Sequence, residues 1–277
     1  MKKIFLLLFM AAFTTLSYAQ TSCCTITVSN QNSVLAMNED FAAKHAVPLP
    51  FKLEQPKGEM ITFNTKDSSM GNAYFIKANN PTKKVLFVFH EWWGLNDYIR
   101  QEAETFAAEM GDVDVYAIDL YDGQIATDVP TAQKLMMGLK QERASAIVSG
   151  IIAKIGKDKS IVSIGWCMGG AWSLQSALLA SKQAKGCVMY YGMPEKSIER
   201  LKTLNCDVLG IFAKQDQFIN SDLVKTFEAN MILAKKKLTV YNYDADHAFA
   251  NPSNPKFNKE FSADAHAKAL VFLKAKL

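Results

Sequence analysis

The stretch Ile161-Val162-Ser163-Ile164-Gly165-Trp166-Cys167-Met168-Gly169-Gly170 decides how this chain is read. A short strand-type run enters a pair of glycines that flank one cysteine, and a helical pattern continues over 168–182. Glycine on either side permits a tight turn that lifts the side chain above a sheet, the G-x-S-x-G form with sulfur replacing the hydroxyl. The helix behind it brings its N-terminus close to the sulfur, where the dipole favours thiolate. A glycine-flanked cysteine can also be a plain strand–helix packing residue. The turn therefore nominates Cys167 as a nucleophile, and its surroundings must assign the role.

Outward from this turn the pattern repeats. Val85–Phe89, Val113–Ile118, Ile161–Ile164, Cys187–Tyr191, Val208–Phe212 and Leu238–Tyr241 are near-continuous apolar runs, as expected of strands covered on both faces of a parallel sheet. Helical periodicity lies between them at 97–110, 131–155, 168–182, 221–235 and 262–276. Ahead of them, Ile61–Phe63 and Ala73–Ile76 flank a turn-rich Lys66–Gly71 and predict an antiparallel hairpin. The alternation predicts an α/β fold: a mostly parallel, doubly wound sheet with helices on both faces and right-handed crossovers. One domain over 55–277 accounts for it, with no internal repeat or linker.

Sites in such sheets form beyond the carboxyl ends of the strands. There the chain places His90-Glu91-Trp92-Trp93-Gly94, Asp119-Leu120-Tyr121, the Cys167 turn, Lys214-Gln215-Asp216 and Asp244-Ala245-Asp246-His247. Cys167, Asp216 and His247 come in the order nucleophile, acid, histidine, each after a strand. His247 is expected to take the thiol proton and Asp216 to fix its tautomer. Of the other histidines, His45 and His266 are expected at the surface. His90 competes for the role of base but precedes the nucleophile, and Asp244 and Asp246 lie too near His247 in the chain to face its ring easily. The backbone N–H groups of Met168 and Trp92 are the expected oxyanion hole. Trp92, Trp93, Tyr121 and Phe249 are expected to edge an apolar pocket, with Trp166 and Trp172 in core packing.

The N-terminus has a different character. Met1-Lys2-Lys3, the apolar run Ile4–Phe13 and Ser17-Tyr18-Ala19 form the pattern of a secretory signal peptide cleaved after residue 19. The run is short of the roughly 20 residues of a membrane span. An uncleaved anchor and lipidation at Cys23 or Cys24 are the rival readings. Export to the periplasm or beyond is expected, leaving no membrane span. Residues 20–54 are mostly polar and read as a leader or arm lying on the domain. Without the signal the net charge of +4 falls to about +2, which offers no footprint for nucleic acid. Five cysteines are too few for a disulfide scaffold in so long a chain. Cys187 and Cys206 are expected as buried thiols, and the pairing of Cys23, Cys24, Cys187 and Cys206 stays open. No His or Cys cluster has zinc-ligand spacing along the chain.

Taken together, His90-Glu91-Trp92-Trp93-Gly94, Asp119-Leu120-Tyr121, Gly165–Gly170, Asp216 and His247-Ala248-Phe249 resemble the dienelactone hydrolase family from about residue 55 onward. The resemblance implies an α/β-hydrolase fold and a Cys167–His247–Asp216 triad. It also implies that Glu91 matches a glutamate that hydrogen-bonds the resting thiol and is displaced on substrate binding. One departure bears on substrate. The family holds the carboxylate of dienelactone with arginines, one of them four residues beyond the catalytic histidine, where this chain has Asn251; no arginine lies between Tyr121 and Gln141 to supply another.

The expectation is an exported, cofactor-free and metal-free cysteine hydrolase of a small ester or lactone, working through an acyl-enzyme as a monomer or small homo-oligomer. A thioesterase or amidase with the same triad is the rival within enzymes. A non-catalytic binding or redox-sensing protein using Cys167 is the rival outside them.

Overall fold

The computed structural model describes residues 27–277, so the signal segment 1–19 and the Cys23-Cys24 pair lie outside the described residues. The strands are β1 (Glu59–Asn64), β2 (Met70–Ile76), β3 (Lys84–Phe89), β4 (Asp114–Asp119), β5 (Ser160–Trp166), β6 (Ala184–Tyr190), β7 (Asp207–Ala213) and β8 (Leu238–Tyr243). They join one sheet in the order β1-β2-β4-β3-β5-β6-β7-β8. The predicted hairpin is β1–β2, antiparallel with Glu59 opposite Phe75, and β2 meets β4 antiparallel. From β4 to β8 every pairing is parallel. Burial tracks position: β3 and β5–β7 are covered almost throughout, whereas the edge strands β1 and β8 are half open.

The helices are α1 (Val28–Ala36), α2 (Glu39–Ala43), α3 (Asp97–Met110), α4 (Val129–Gly138), α5 (Gln141–Ile155), α6 (Met168–Ala180), α7 (Ile198–Lys202), α8 (Ser221–Leu233) and α9 (Lys259–Lys276). The periodicity expected to run unbroken over 131–155 is two helices. Gly138 is a poor interior residue, Leu139 turns to extended backbone (ψ 101°), and the two halves bury different partners. Helix α4 lies against α1, with Ser33 Oγ donating to the Met137 carbonyl at 3.1 Å, whereas α5 packs under α6 and the β1–β2 hairpin. Helix α6, behind the Cys167 turn, is buried on every side from Met168 to Ala177. It presents no polar face because it sits between the sheet and α5.

Residues 27–54 lie on the domain as an arm, and they are more ordered and more buried than their composition implies. Thr27 caps α1 by accepting from the Asn30 N–H, and Asn38 caps α2 by accepting from the Phe41 N–H at 3.0 Å. Helix α1 buries polar Ser29, Gln31 and Asn32 as well as Val28 and Ala36, and α2 buries Phe41 completely. His45 comes just after α2 and is 4% exposed, which corrects the expectation that it is a surface residue. The imidazole is held inside by Phe41, whose carbonyl bonds Nδ1 at 2.7 Å and whose ring lies 4.2 Å away. Among the described residues Cys167, Cys187 and Cys206 are free thiols. Cys187 is buried, while Cys206 is only partly so, a correction to the pair of buried thiols that was expected.

Candidate active site

The turn from β5 to α6 has the geometry its glycines predict. Cys167 adopts φ 54°, ψ −121°, a left-handed conformation that costs a non-glycine residue of order 1–3 kcal/mol. The turn is pinned by Cys167 N–H donating to the Tyr190 carbonyl at 3.0 Å and by Gly170 N–H donating back to Cys167 at 3.0 Å. A Cβ on Gly165 would lie 2.1 Å from the Gly169 carbonyl oxygen, and one on Gly169 would lie 2.4 Å from the oxygens of both Phe89 and His90. Backbone therefore touches backbone at the turn, and the loop after β3 is brought against the start of α6. That contact brings Glu91 close enough for its charge to act on the sulfur.

Asp216 lies in the loop between β7 and α8. One of its oxygens accepts from the Phe218 and Ile219 N–H groups at 2.8 and 3.0 Å. The other meets His247 Nδ1 at 2.6 Å, with both side chains almost wholly buried. Burial opposes charge on this pair, but the carboxylate beside the ring raises the His247 pKa well above its usual value. The same contact and the two backbone donors hold Asp216 below the usual carboxylate range against the desolvation that would raise it. His247 lies beyond β8 in a loop anchored by Asp246, which accepts the His247 N–H at 2.8 Å and pairs with Lys256. Asp244 accepts instead from Gln215, so neither neighbouring carboxylate is placed on the ring.

Cys167 is 3% exposed. Its sulfur and a ring nitrogen of His247 lie within 4.8 Å, the loose separation common in an unliganded nucleophile–base pair. Burial pushes the thiol pKa up, the His247 ring and the Met168 N–H pull it back, and the charge of Glu91 raises it again. His90, the rival base, is fully buried and committed: Nε2 accepts from the Leu120 N–H at 3.1 Å while Nδ1 lies 2.6 Å from the Glu91 carbonyl. It ties the end of β3 to the end of β4.

Glu91 is 5% exposed. One oxygen accepts from Tyr191 Oη at 3.4 Å, and the other accepts from the Asn251 amide. Burial lifts its pKa to about 7 against the opposing pull of His247 and these two donors. The hydrogen bonds it receives among the described residues come from Tyr191 and Asn251, so its influence on the sulfur is through space.

A cleft of about 410 Å³, part of it open to solvent, lies over Glu91 and Trp166, the residue before Cys167, although Cys167 and His247 are not in its described lining. Glu91, Trp93, Glu102, Trp166 and Asn251 are among its walls, with no lysine or arginine in the described lining. Trp93 and Asn251, both expected in the substrate pocket, are in this lining. Tyr121 and Phe249 are not part of this lining, a correction to the expected aromatic edge. Tyr121 is buried with its hydroxyl 3.1 Å from Met168 Sδ, and Phe249 packs between Tyr191 and Tyr243. Trp166, expected in packing, instead lines the cleft, while Trp172 is fully buried as expected. Trp92 is likewise buried, its indole beneath Phe41 and His45.

Two features of the site were not legible. Tyr191 sits directly after β6 at the same sheet edge with φ 35°, and its position after a strand is the signal that could have found it. His45 enters from the arm, where Asn38-Glu39-Asp40 before Phe41 is a helix-start signal that could have located α2. Burial, and next the nearby His247 ring, lower the His45 pKa to about 3.

A strand-to-helix elbow carrying a left-handed nucleophile-type residue, set in the middle of this mostly parallel sheet, defines the α/β-hydrolase class. Within it the chain belongs to the dienelactone hydrolase family, whose model matches residues 72–277, and it is a hydrolase of ester or lactone bonds. A carboxymethylenebutenolidase of a Pseudomonas species is 34% identical over 122 residues, 42% of this chain and 48% of that one. Carboxymethylenebutenolidase 1 of Cupriavidus pinatubonensis is 22% identical over 77% of this chain and 95% of its own. The crystal structure of a dienelactone hydrolase from Anabaena variabilis shares the fold with a TM-score of 0.58 at 16% identity, covering 81% of this chain and 100% of that chain.

Proposed function

We propose that the chain hydrolyses small, uncharged esters or lactones through a Cys167–His247–Asp216 triad and an acyl-enzyme. The observation that carries this reading is the buried 2.6 Å contact between Asp216 and His247 beside a cysteine on a nucleophile elbow. In the first half-reaction the Cys167 proton passes to His247 Nε2 and the sulfur attacks the carbonyl carbon. The oxyanion is held by the N–H groups of Met168 and Trp92. Collapse breaks the ester C–O bond, and the alcohol leaves with the proton from His247. Water then gives a proton to His247, attacks the thioester and releases the acid and the thiol.

When ionised, Glu91 raises the pKa of the Cys167 thiol through its charge, and it lines the cleft beside Trp93 and Asn251. A substrate that moves its carboxylate away from the sulfur relieves that restraint. The absence of a cation from the described cleft lining, with Glu91 and Glu102 both present, supports a neutral substrate over an anionic one. Export rests on the Met1–Ala19 pattern; mass spectrometry of the cell-envelope fraction is expected to find a mature N-terminus at Gln20.

Turnover of 4-nitrophenyl acetate tests the central claim. Cys167→Ala is expected to lower kcat/KM by on the order of 10³-fold or more, with a mass increase of one acyl group trapped on Cys167 in the wild type at low pH. Full activity in Cys167→Ala would sink it.

A further inference from the structure

His45 has no part in the hydrolysis above, yet it sits in the innermost part of the site. It reaches there from the arm, a segment remote in sequence from both the elbow and the His247 loop. Ligand atoms of His45, Cys167 and His247 all lie within 4.8 Å of one another, and all three residues are buried. Each imidazole is already engaged at Nδ1, by the Phe41 carbonyl at 2.7 Å and by Asp216 at 2.6 Å. Both Nε2 atoms are buried without a hydrogen-bond partner among the described residues.

We propose that His45, Cys167 and His247 form a binding site for a borderline-soft divalent cation of the zinc class, with a fourth position left for water. The donor set of one sulfur and two imidazoles selects such ions over magnesium or calcium. Zinc–sulfur and zinc–nitrogen bonds of roughly 2.3 and 2.0–2.1 Å set tetrahedral donor atoms about 3.5 Å apart. The triangle therefore needs to contract by on the order of 1 Å, within the reach of side-chain rotation. The outer contacts are those a zinc histidine requires: a carbonyl on one Nδ1 and a carboxylate on the other fix the rings with Nε2 toward the ion. Binding releases the Cys167 proton and engages the sulfur lone pair. It also joins the arm to the core of the site, so the ion both silences the nucleophile and fastens α2 over it. Only the silencing rests on the hydrolase reading; the binding does not.

The test uses the chelator-treated, full-length exported chain titrated with Co²⁺. One equivalent is expected to give a near-ultraviolet thiolate-to-cobalt band with strong visible bands of a four-coordinate ion. Cys167→Ser should lose the near-ultraviolet band, and His45→Asn should weaken Co²⁺ binding at least about tenfold. Zn²⁺ should raise the Tm of the wild type and not that of Cys167→Ser, a readout that does not depend on folding of the His45 variant. Zn²⁺ should also inhibit aryl-ester turnover with the same affinity, each protein being compared with its own metal-free rate. Absence of the thiolate band, or unchanged Co²⁺ affinity in His45→Asn and His45→Gln alike, overturns the site. If Cys167→Ala stays active while the cobalt band forms in the wild type, the hydrolase reading fails and the metal site stands.

Discussion

Replacing Glu91 by Gln isolates the energetic cost of a carboxylate built into this site. Glu91 is enclosed by the loop after β3, the Tyr191 hydroxyl and the Asn251 amide, with His247 and Cys167 facing it from the other side and Glu102 across the cleft. Its pKa is about 7 in the folded protein against 4.5 for an unperturbed glutamate, chiefly because burial penalises the anion. The folded value is the higher one, so between those pH values the native state holds a proton that the unfolded chain has lost. Stability from this group is thus fully present below about pH 4.5 and is lost as pH rises through about 7. A gap of about 2.5 pH units at 1.36 kcal/mol each makes the full loss about 3 kcal/mol. Glutamine keeps the shape and has no proton to lose. Urea unfolding of chelator-treated protein, monitored by the fluorescence of the buried Trp92, Trp93, Trp166 and Trp172, measures both profiles from pH 4.5 to 8. The variant is expected to gain about 3 kcal/mol on the wild type across that range, since the other titrating groups are common to both. Parallel profiles would refute the reasoning, because Glu91 would then ionise in the native state as readily as in the unfolded chain.

The elbow predicts a second outcome: Gly169→Ala should destabilise by about 3 kcal/mol, since its Cβ would collide with two backbone oxygens. Gly138→Ala, with nothing within 4 Å, should be neutral or gain up to about 1 kcal/mol, and equal effects in thermal unfolding would contradict the packing assigned to the turn. Phe41→Ala should cost about 3–4 kcal/mol and speed alkylation of Cys167 by iodoacetamide severalfold, read by peptide mass mapping; an unchanged rate means the arm does not shield the sulfur. Asn251→Arg places a cation in a cleft whose described lining has none, and should raise kcat/KM for anionic over neutral lactones about tenfold, equivalent to about 1.4 kcal/mol. A constant ratio would show that substrate does not pass residue 251.

Periodicity and glycine placement were enough to read the sheet, the hairpin and the elbow from the chain. An apolar run covered on both faces can be little else, and two glycines around a cysteine after such a run specify a turn. Cys167, Asp216 and His247 were nominated because each lies just beyond a strand, and parallel strands bring their carboxyl-terminal loops to one edge. The arm defeated the same logic. Its buried Ser29, Gln31 and Asn32 hide an inward face behind polar composition, and no period announces that Phe41 and His45 end beside Cys167 and His247. The split at Gly138 was similarly invisible, because the periodicity on either side is continuous and only the choice of packing partner changes.

Local pattern in the chain thus sets the class of fold, the strand-to-helix turn and the order of the residues at the sheet edge. Packing of the folded chain settles the rest: which aromatic side chains line the cleft, that Glu91 is held by Tyr191 and Asn251, and that His45 faces Cys167 and His247. Those are contacts between distant segments: Glu91 and Asn251 stand 160 positions apart, and His45 and His247 are farther apart still. Their geometry comes from how the loops and the arm pack on the sheet, and no one segment carries that information in its own residues.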